Sequence, residues 1–510
     1  MNQLPHLSLA TTGTPAVALP ERVLQFGTGV LLRGLVDVLI DSANRQGVFN
    51  GSVVAVDLTR ADVSDFARQD NQYTVWVRGL EAEKLVDSQT VVSAISRVLA
   101  AQTEWADVLT LARKPSLQII ISDTTEAGSD YVEESIFGNG TEPPVSFPAR
   151  LTAFLYERFK NAGGSRKMGL VVVPTEAVPD NGLRLRDAVE RTARHNELGK
   201  LFMKWLKFHV RFCNSLVDRI VTKQPDPETV ALFEEHAGYT DALLITTEPY
   251  HLWAIEGDER VRKVLSFADV SPKNIVIDED INFYRERKLR LLNGTHTLVA
   301  PLSYLLGNLT LADTLNHPHT GPLLTALLHT DLVPTVPTDA LGDDGPTAVQ
   351  DFATQVLDRF KNPHNEQFLL TITTQQTAKM RVRNVPALLF WGNTPESISP
   401  RMALCLAAYL RFMRPAAAPE NGEFRGEITL PGGGELVYPI RDEQADFFYG
   451  AWADVSGTEP KTVAAFVTTV LANQSLWQTD LTAIPGLAGQ VAAFLTLMLD
   501  KGVETAVRSV

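Results

Sequence analysis

Only two cysteines occur in 510 residues, Cys213 and Cys405, far apart and in no metal-like spacing, so neither a disulfide framework nor a cysteine-ligated metal is expected. No stretch approaches ~20 uninterrupted apolar residues, and the opening MNQLPHLSLA lacks a charged segment followed by a long apolar core. Neither membrane insertion nor export is expected, and a reducing cytoplasm suits the thiols best. Basic residues are in deficit, 46 against 60 acidic for a formal charge of −14, which argues against nucleic acid or an anionic membrane as partner. An anionic substrate would therefore need a local basic pocket. Repeats are absent, and low complexity is confined to a short Pro/Ala patch at Arg414 to Pro419.

What is present describes a globular protein with too much chain for one ordinary hydrophobic core, so two domains are expected. Residues 22–29, RVLQFGTG, read as a short buried strand ending in a Gly-x-Gly turn, and apolar spacing from Val30 to Ile40 predicts the helix that follows. Strand, glycine turn and helix make a phosphate-binding start. Gly27 can take a backbone conformation closed to other residues, and Gly29 leaves the chain bare for a pyrophosphate at the helix N-terminus. Leu32 stands where the usual third glycine would be. The run GSVVAVDLTR, residues 51–60, predicts a second strand closing on Asp57, where a dinucleotide fold accepts the adenosine ribose hydroxyls; Arg60 leaves room for a 2′-phosphate. A further parallel strand is expected at Ser116 to Ser122, leading into DTTEAG, where Thr124, Thr125 and Glu126 form either an ordinary polar loop or a contact to the nicotinamide ribose. Another is expected within 169–182, and there Asn181 reads as a turn residue.

Helical spacing covers Leu201 to Phe212, and strands are expected within 241–255 and 274–278. From Leu289 onward helix-period apolar residues dominate, at 322–332, 348–360, 366–376, 401–412, 463–471 and 488–499, with a β-hairpin and Pro-Gly turn at 427–438. That hairpin suits an oligomer contact or a solvent-exposed flap. The expected organisation is a Rossmann-type α/β domain over 1–282 and a mainly α-helical domain over 283–510, with the site between them.

Chemistry concentrates in KLRLLNGTH, residues 288–296. Lys288, Asn293 and His296 bring an amine, a carboxamide and an imidazole together, and a helix would put Asn293 and His296, three apart, on one face. Interconverting a carbonyl and an alcohol needs an acid/base and donors for the developing oxyanion, which these groups supply. Lys379, Arg381 and Arg383 alternate in TAKMRVR; in an extended segment all three would face one way, as solvated surface or as a site for a carboxylate. Asn214 and Asp218 are polar groups in the apolar run 212–221, with Arg219 suited to a structural ion pair. Tyr250, His251 and Trp253 suit either core or pocket wall.

The K-x4-N-x2-H pattern in its LRLLN setting, with Gly27, Gly29 and Arg33 matching G-x-G-x3-R, resembles the mannitol dehydrogenase family of polyol-specific long-chain dehydrogenases/reductases. The resemblance implies NAD as cofactor and no metal, with Lys288 as general acid/base and Asn293 and His296 holding the reacting oxygen. It also implies Gly27, Gly29, Arg33, Asp57, Thr124, Thr125 and Glu126 at the cofactor, and Asn214, Asp218, Lys379 and Arg381 at the substrate. Many members carry Cys-Asp-Asn where this chain has Thr175, Glu176 and Ala177, and a glutamate where it has Arg285, next to Glu286. The implied reaction is reversible reduction of the keto-sugar acid tagaturonate to altronate, with fructuronate to mannonate and fructose to mannitol as rival substrates. A dinucleotide-binding regulator without chemistry is the remote alternative. The expected partner is a small sugar acid, with no nucleic acid and no membrane; whether the chain forms a homo-oligomer is left open.

Overall fold

The computed structural model describes residues 4–13, 18–137, 142–394, 398–430, 433–455 and 457–510, with the Glu126 side chain also outside the description. The chain forms two compact units: one of Met1–Arg78 with Leu85–Ile281, and one of Gly79–Lys84 with Asn282–Val510.

The first unit is built on a six-stranded parallel sheet. Its strands are β1 (Glu21–Phe26), β2 (Ser52–Asp57), β3 (Ile95–Ala100), β4 (Ile119–Ser122), β5 (Leu170–Pro174) and β6 (Val210–Phe212), in the order β3-β2-β1-β4-β5-β6. This is the doubly wound order of a Rossmann sheet. Strands covered on both faces need apolar residues at every position, which is why SVVAVD and LVVVP are buried throughout. Their pleat divides the core in two. Val23, Ala55, Ile121 and Val173 pack on one side, while Leu24, Val54, Ile120 and Val172 pack on the other.

Helix α1 (Asp37–Arg45) follows β1 after a π-helical turn at Leu32–Val36. Helix α2 (Phe147–Ala162) starts on the Ser146 hydroxyl, which accepts from the Ala149 N–H, and stops at Gly163 in the left-handed region. Helices α3 (Asn181–His195) and α4 (Gly199–His209) complete the layer. The helix expected through Phe212 ends at His209. Val210 and Phe212 then turn inward and Arg211 outward, a period of two that lets the segment join the sheet beside β5.

The second unit is mainly helical, so the expected α/β-then-α architecture holds. Its helices include α5 (Asn282–Arg287), α6 (Thr295–Tyr304), α7 (Gly345–Lys361), α8 (Gln376–Arg383), α9 (Pro400–Phe412), α10 (Pro460–Leu471) and α11 (Leu487–Lys501). Helix α9 is buried along almost its whole length. Two expectations change here. The segment 366–376 is helical at Leu369–Ile372 and then breaks before α8 begins at Gln376: Gln375 takes φ +53° and its N–H pairs with the Arg441 carbonyl. The segment carrying Lys379, Arg381 and Arg383 is the helix α8, not an extended strand.

The hairpin pairs Phe424–Thr429 with Glu435–Ile440; its Pro-Gly turn lies outside the described residues. One of its faces is buried, with Tyr438 stacked 4.6 Å from Phe412 and its hydroxyl donating to the Phe412 carbonyl, so it is packed and not a flap. Among the described residues no helix is long and apolar enough to cross a membrane.

Candidate functional site

In the first unit, Gly27, Gly29, Arg33, Asp57, Thr124 and Thr125 line one cavity of about 990 Å³ at the carboxyl ends of β1, β2 and β4. Gly27 has φ +127°, and a Cβ there would meet the Asp123 carbonyl oxygen at 3.1 Å, so only glycine fits. A Cβ on Gly29 would come within 3.6 Å of an Asp123 carboxyl oxygen. Arg33 lies beneath the glycine turn: its Nε donates to the Thr28 carbonyl at 3.1 Å and its Nη1 to the Leu243 carbonyl at 2.7 Å. The packing usually given to a third glycine falls to Gly34, where a Cβ would meet Val221 at 2.7 Å. Sequence reading passed over Gly34, since its spacing matches no standard fingerprint.

Asp57 ends β2 as expected and is saturated. One carboxylate oxygen accepts from the Thr28 hydroxyl (2.5 Å) and Arg60 Nε (2.9 Å), the other from the N–H groups of Thr59 (2.9 Å) and Arg60 (2.8 Å). Although burial opposes ionisation, these donors win and hold the carboxyl well below the usual range. Arg60 also pairs with Asp65 at 2.7 Å.

Glu176, which departs from the family pattern, is buried and ties two strand ends together. Its carboxylate accepts from the Thr124 N–H (3.0 Å), the Thr124 hydroxyl (2.9 Å) and the Ser122 hydroxyl (3.3 Å). Beside it Asp123, another residue sequence reading left aside, is raised to about 6 by burial and by the Glu176 charge. Asn181 is a buried clamp and not a turn residue: its amide nitrogen donates to the carbonyls of Pro174 (3.1 Å) and Ser215 (3.0 Å), and its oxygen accepts from the Ser215 N–H (2.9 Å).

Asn214 and Asp218 are buried and do not line this cavity. The Asn214 amide accepts from the Leu183 N–H at 3.1 Å and donates to Glu256 at 2.7 Å. Arg219 spends its guanidinium on main-chain carbonyls, those of Glu248 (3.1 Å) and Gly34. Trp253 is core, stacked 5.6 Å from Phe267.

In the second unit, Lys288 to Gly294 form a π-helical segment between α5 and α6, so 282–304 is one helical run with a widened middle. The widening matters for geometry. In a regular α-helix residues five apart lie about 140° apart around the axis. The i→i+5 bonding of a π turn brings such a pair toward one face, so Lys288 and Asn293 are drawn together; wide turns of this kind occur often at functional sites. The junction is supported by side chains of α8: Asn384, just past its end, donates to the Gly294 carbonyl at 3.0 Å, and Gln376 donates to the Thr297 carbonyl at 2.7 Å.

The amide of Asn293 makes no hydrogen bond with any described residue. His296 accepts at Nε2 from Arg383 Nη1 at 3.1 Å, and the same Nη1 donates to the Thr297 hydroxyl at 2.9 Å. Its Nδ1 is buried without a partner. Burial first, then the cations Arg383, Lys379 and Arg359, push the imidazole down to about 3, so it is neutral at any ordinary pH. Because α8 is a helix, Lys379 and Arg383, four apart, share a face, while Arg381 lies about 200° around from Lys379. The cation that meets His296 is Arg383; alternation in an extended segment would have faced Lys379, Arg381 and Arg383 all one way, and the helix turns Arg381 off that face. Lys379 Nζ donates to the Ile372 carbonyl at 2.8 Å. Among the described residues no carboxylate lies within ion-pair distance of Lys379 or Arg383, and no group of side chains suited to a metal occurs.

A doubly wound nucleotide-type sheet, a glycine cradle and a helical unit bearing lysine, amide and imidazole define a dehydrogenase-like protein. The family model described as mannitol dehydrogenase Rossmann domain matches residues 21–268, and that described as mannitol dehydrogenase C-terminal domain matches residues 280–425; the chain belongs to the mannitol dehydrogenase family. Among curated relatives, the altronate oxidoreductase of Halalkalibacterium halodurans is 36% identical, over 96% of this chain and 93% of that one. The altronate oxidoreductase of Escherichia coli O7:K1 is 34% identical, over 97% of this chain and 98% of that one. The Pseudomonas fluorescens mannitol 2-dehydrogenase, solved as a ternary complex with NAD and D-mannitol, superposes with a TM-score of 0.65 at 22% identity, covering 99% of this chain and 96% of that one. A substrate-free D-sorbitol dehydrogenase gives 0.75 at 18%, covering 99% and 97%.

Proposed function

We propose that this protein is an NAD-dependent oxidoreductase that reversibly reduces tagaturonate to altronate. The cofactor fits the first unit: the cradle at Gly27 and Gly29 leaves the backbone bare for a pyrophosphate, and Asp57 closes the second strand where ribose hydroxyls are accepted. Since Asp57 is already saturated, a ribose hydroxyl takes the place of the Thr28 hydroxyl, a rotor that turns away more easily than the two backbone N–H donors. When bound, the nicotinamide supplies the hydride. Lys288 gives the proton that the substrate oxygen takes up on reduction and removes it on oxidation. Asn293 and His296 donate hydrogen bonds to that oxygen and its neighbouring hydroxyl as negative charge develops.

The observation that carries this reading is the orphaned, buried Nδ1 of His296, one helical turn from the unpartnered amide of Asn293: two polar groups held ready for a ligand oxygen. The acid substrate is supported by Lys379 and Arg383, which share a face with no carboxylate within ion-pair distance among the described residues, in a chain of net charge −14, and by relatives named altronate oxidoreductase over nearly the full length. The test is NADH oxidation with tagaturonate, fructuronate and fructose in parallel. Tagaturonate should give the highest kcat/KM; a preference for either of the others refutes the substrate, and no turnover of any refutes the reaction.

A further inference from the structure

We propose that Arg383 is a positioning residue that fixes the tautomer of His296, so that the imidazole presents Nδ1–H, a donor only, to the substrate oxygen. This inference rests on the reading above for its consequence, though not for its test. A guanidinium has five N–H donors and no acceptor. Its Nη1 lies 3.1 Å from His296 Nε2, and that contact is a hydrogen bond only if Nε2 carries a lone pair. In a neutral imidazole the single proton must then sit on Nδ1. The other tautomer would set N–H against N–H and leave Nδ1 as an acceptor, able to receive a hydroxyl proton but useless to a carbonyl or an alkoxide.

The surroundings bias the ring the same way. The charged groups that perturb it are Arg383 and Lys379 on α8 and Arg359 on α7, all cations. The Phe360 ring covers it at 6.2 Å. A second proton is therefore disfavoured, and the imidazole stays a neutral donor through the catalytic cycle instead of competing with Lys288 for the proton. Arg383 is itself held: its Nη1 also donates to Thr297 at 2.9 Å, and the bonds from Gln376 to the Thr297 carbonyl and from Asn384 to the Gly294 carbonyl fasten α8 beside the histidine.

The experiment is 15N-histidine NMR on the full chain without substrate, with His296 assigned by the signal lost in His296→Asn. Between pH 5 and 8 the wild type should show the neutral Nδ1–H form alone. Arg383→Met should yield a mixture containing Nε2–H, with kcat lower by roughly 10²-fold and KM for NADH unchanged. Arg383→Lys, which also can only donate, should restore the Nδ1–H form and part of the activity; it carries the test if the methionine variant does not fold. An Nε2–H signal in the wild type, or an unaltered Nδ1–H form in Arg383→Met, would overturn the proposal. Because the tautomer is read without substrate, it stands or falls independently of which sugar acid is reduced.

Discussion

Replacing Asp57 by asparagine should shift the protein from NADH toward NADPH. Around the expected ribose position two carboxylates, Asp57 and Asp65, share one guanidinium, Arg60, at 2.9 and 2.7 Å, which leaves a local charge of −1. A 2′-phosphate brought to ~4 Å from a carboxylate at an effective dielectric of ~20 is opposed by about 4 kcal/mol per unit charge, and Arg60 offsets part of that. Asparagine removes the charge, leaves Arg60 balanced by Asp65 alone, and keeps an oxygen to accept the Thr59 and Arg60 N–H groups. A net change of about 2–3 kcal/mol corresponds to a rise of roughly 10²-fold in the NADPH-to-NADH ratio of kcat/KM. Folding should survive, because the asparagine oxygen keeps the two backbone N–H bonds and Arg60 keeps its pair with Asp65. The assay is steady-state oxidation of both cofactors by wild type and variant. A wild type that prefers NADPH, or a ratio unmoved by Asp57→Asn, would refute the reasoning and turn attention to Arg60.

Lys288→Ala is predicted to lower kcat by about 10²–10⁴ while leaving the NADH Kd nearly unchanged, since the glycine cradle belongs to the other unit; near-normal kcat would exclude Lys288 as the acid/base. Lys379→Met is predicted to raise KM for the keto-acid far more than for NADH, with roughly tenfold to hundredfold lower kcat/KM for loss of a charge-assisted bond. An unchanged KM would remove Lys379 from the substrate site. Asp37 is buried and raised to about 7, chiefly by desolvation, despite bonds from Gln25 and Tyr73. With its folded pKa above the unfolded value, the native state holds the extra proton, so stability falls as pH rises from ~4 through ~7. Asp37→Asn should therefore be more stable than wild type at pH 8, by about 2–4 kcal/mol, and show little gain at pH 4. Thermal unfolding at the two pH values tests it, and equal gains at both would contradict the assignment.

The sequence by itself determined the local patterns. Continuous β-branched runs, a glycine turn and a following apolar helix specify strand, cradle and helix within about thirty residues, and Asp57 falls at a strand end because SVVAVD can only be buried there. Helical periodicity likewise announced most of the second unit, because burying one stripe of a helix leaves a repeat that composition preserves. What tertiary structure alone decided depends on partners remote in sequence. The segment 376–383 is helical, entered through Gln375, whose left-handed backbone is held by a bond to Arg441, and the helix turns Arg381 away from the face that Lys379 and Arg383 share. The π segment at Lys288–Gly294, which draws the lysine toward the amide, has its junction with α6 braced by Asn384, ninety residues away. The protonation of His296 depends on cations from two other helices. None of these contacts leaves a periodic trace in the chain, because each is a single bond or charge reaching across the fold, from a side chain or, at Gln375, from one backbone to another.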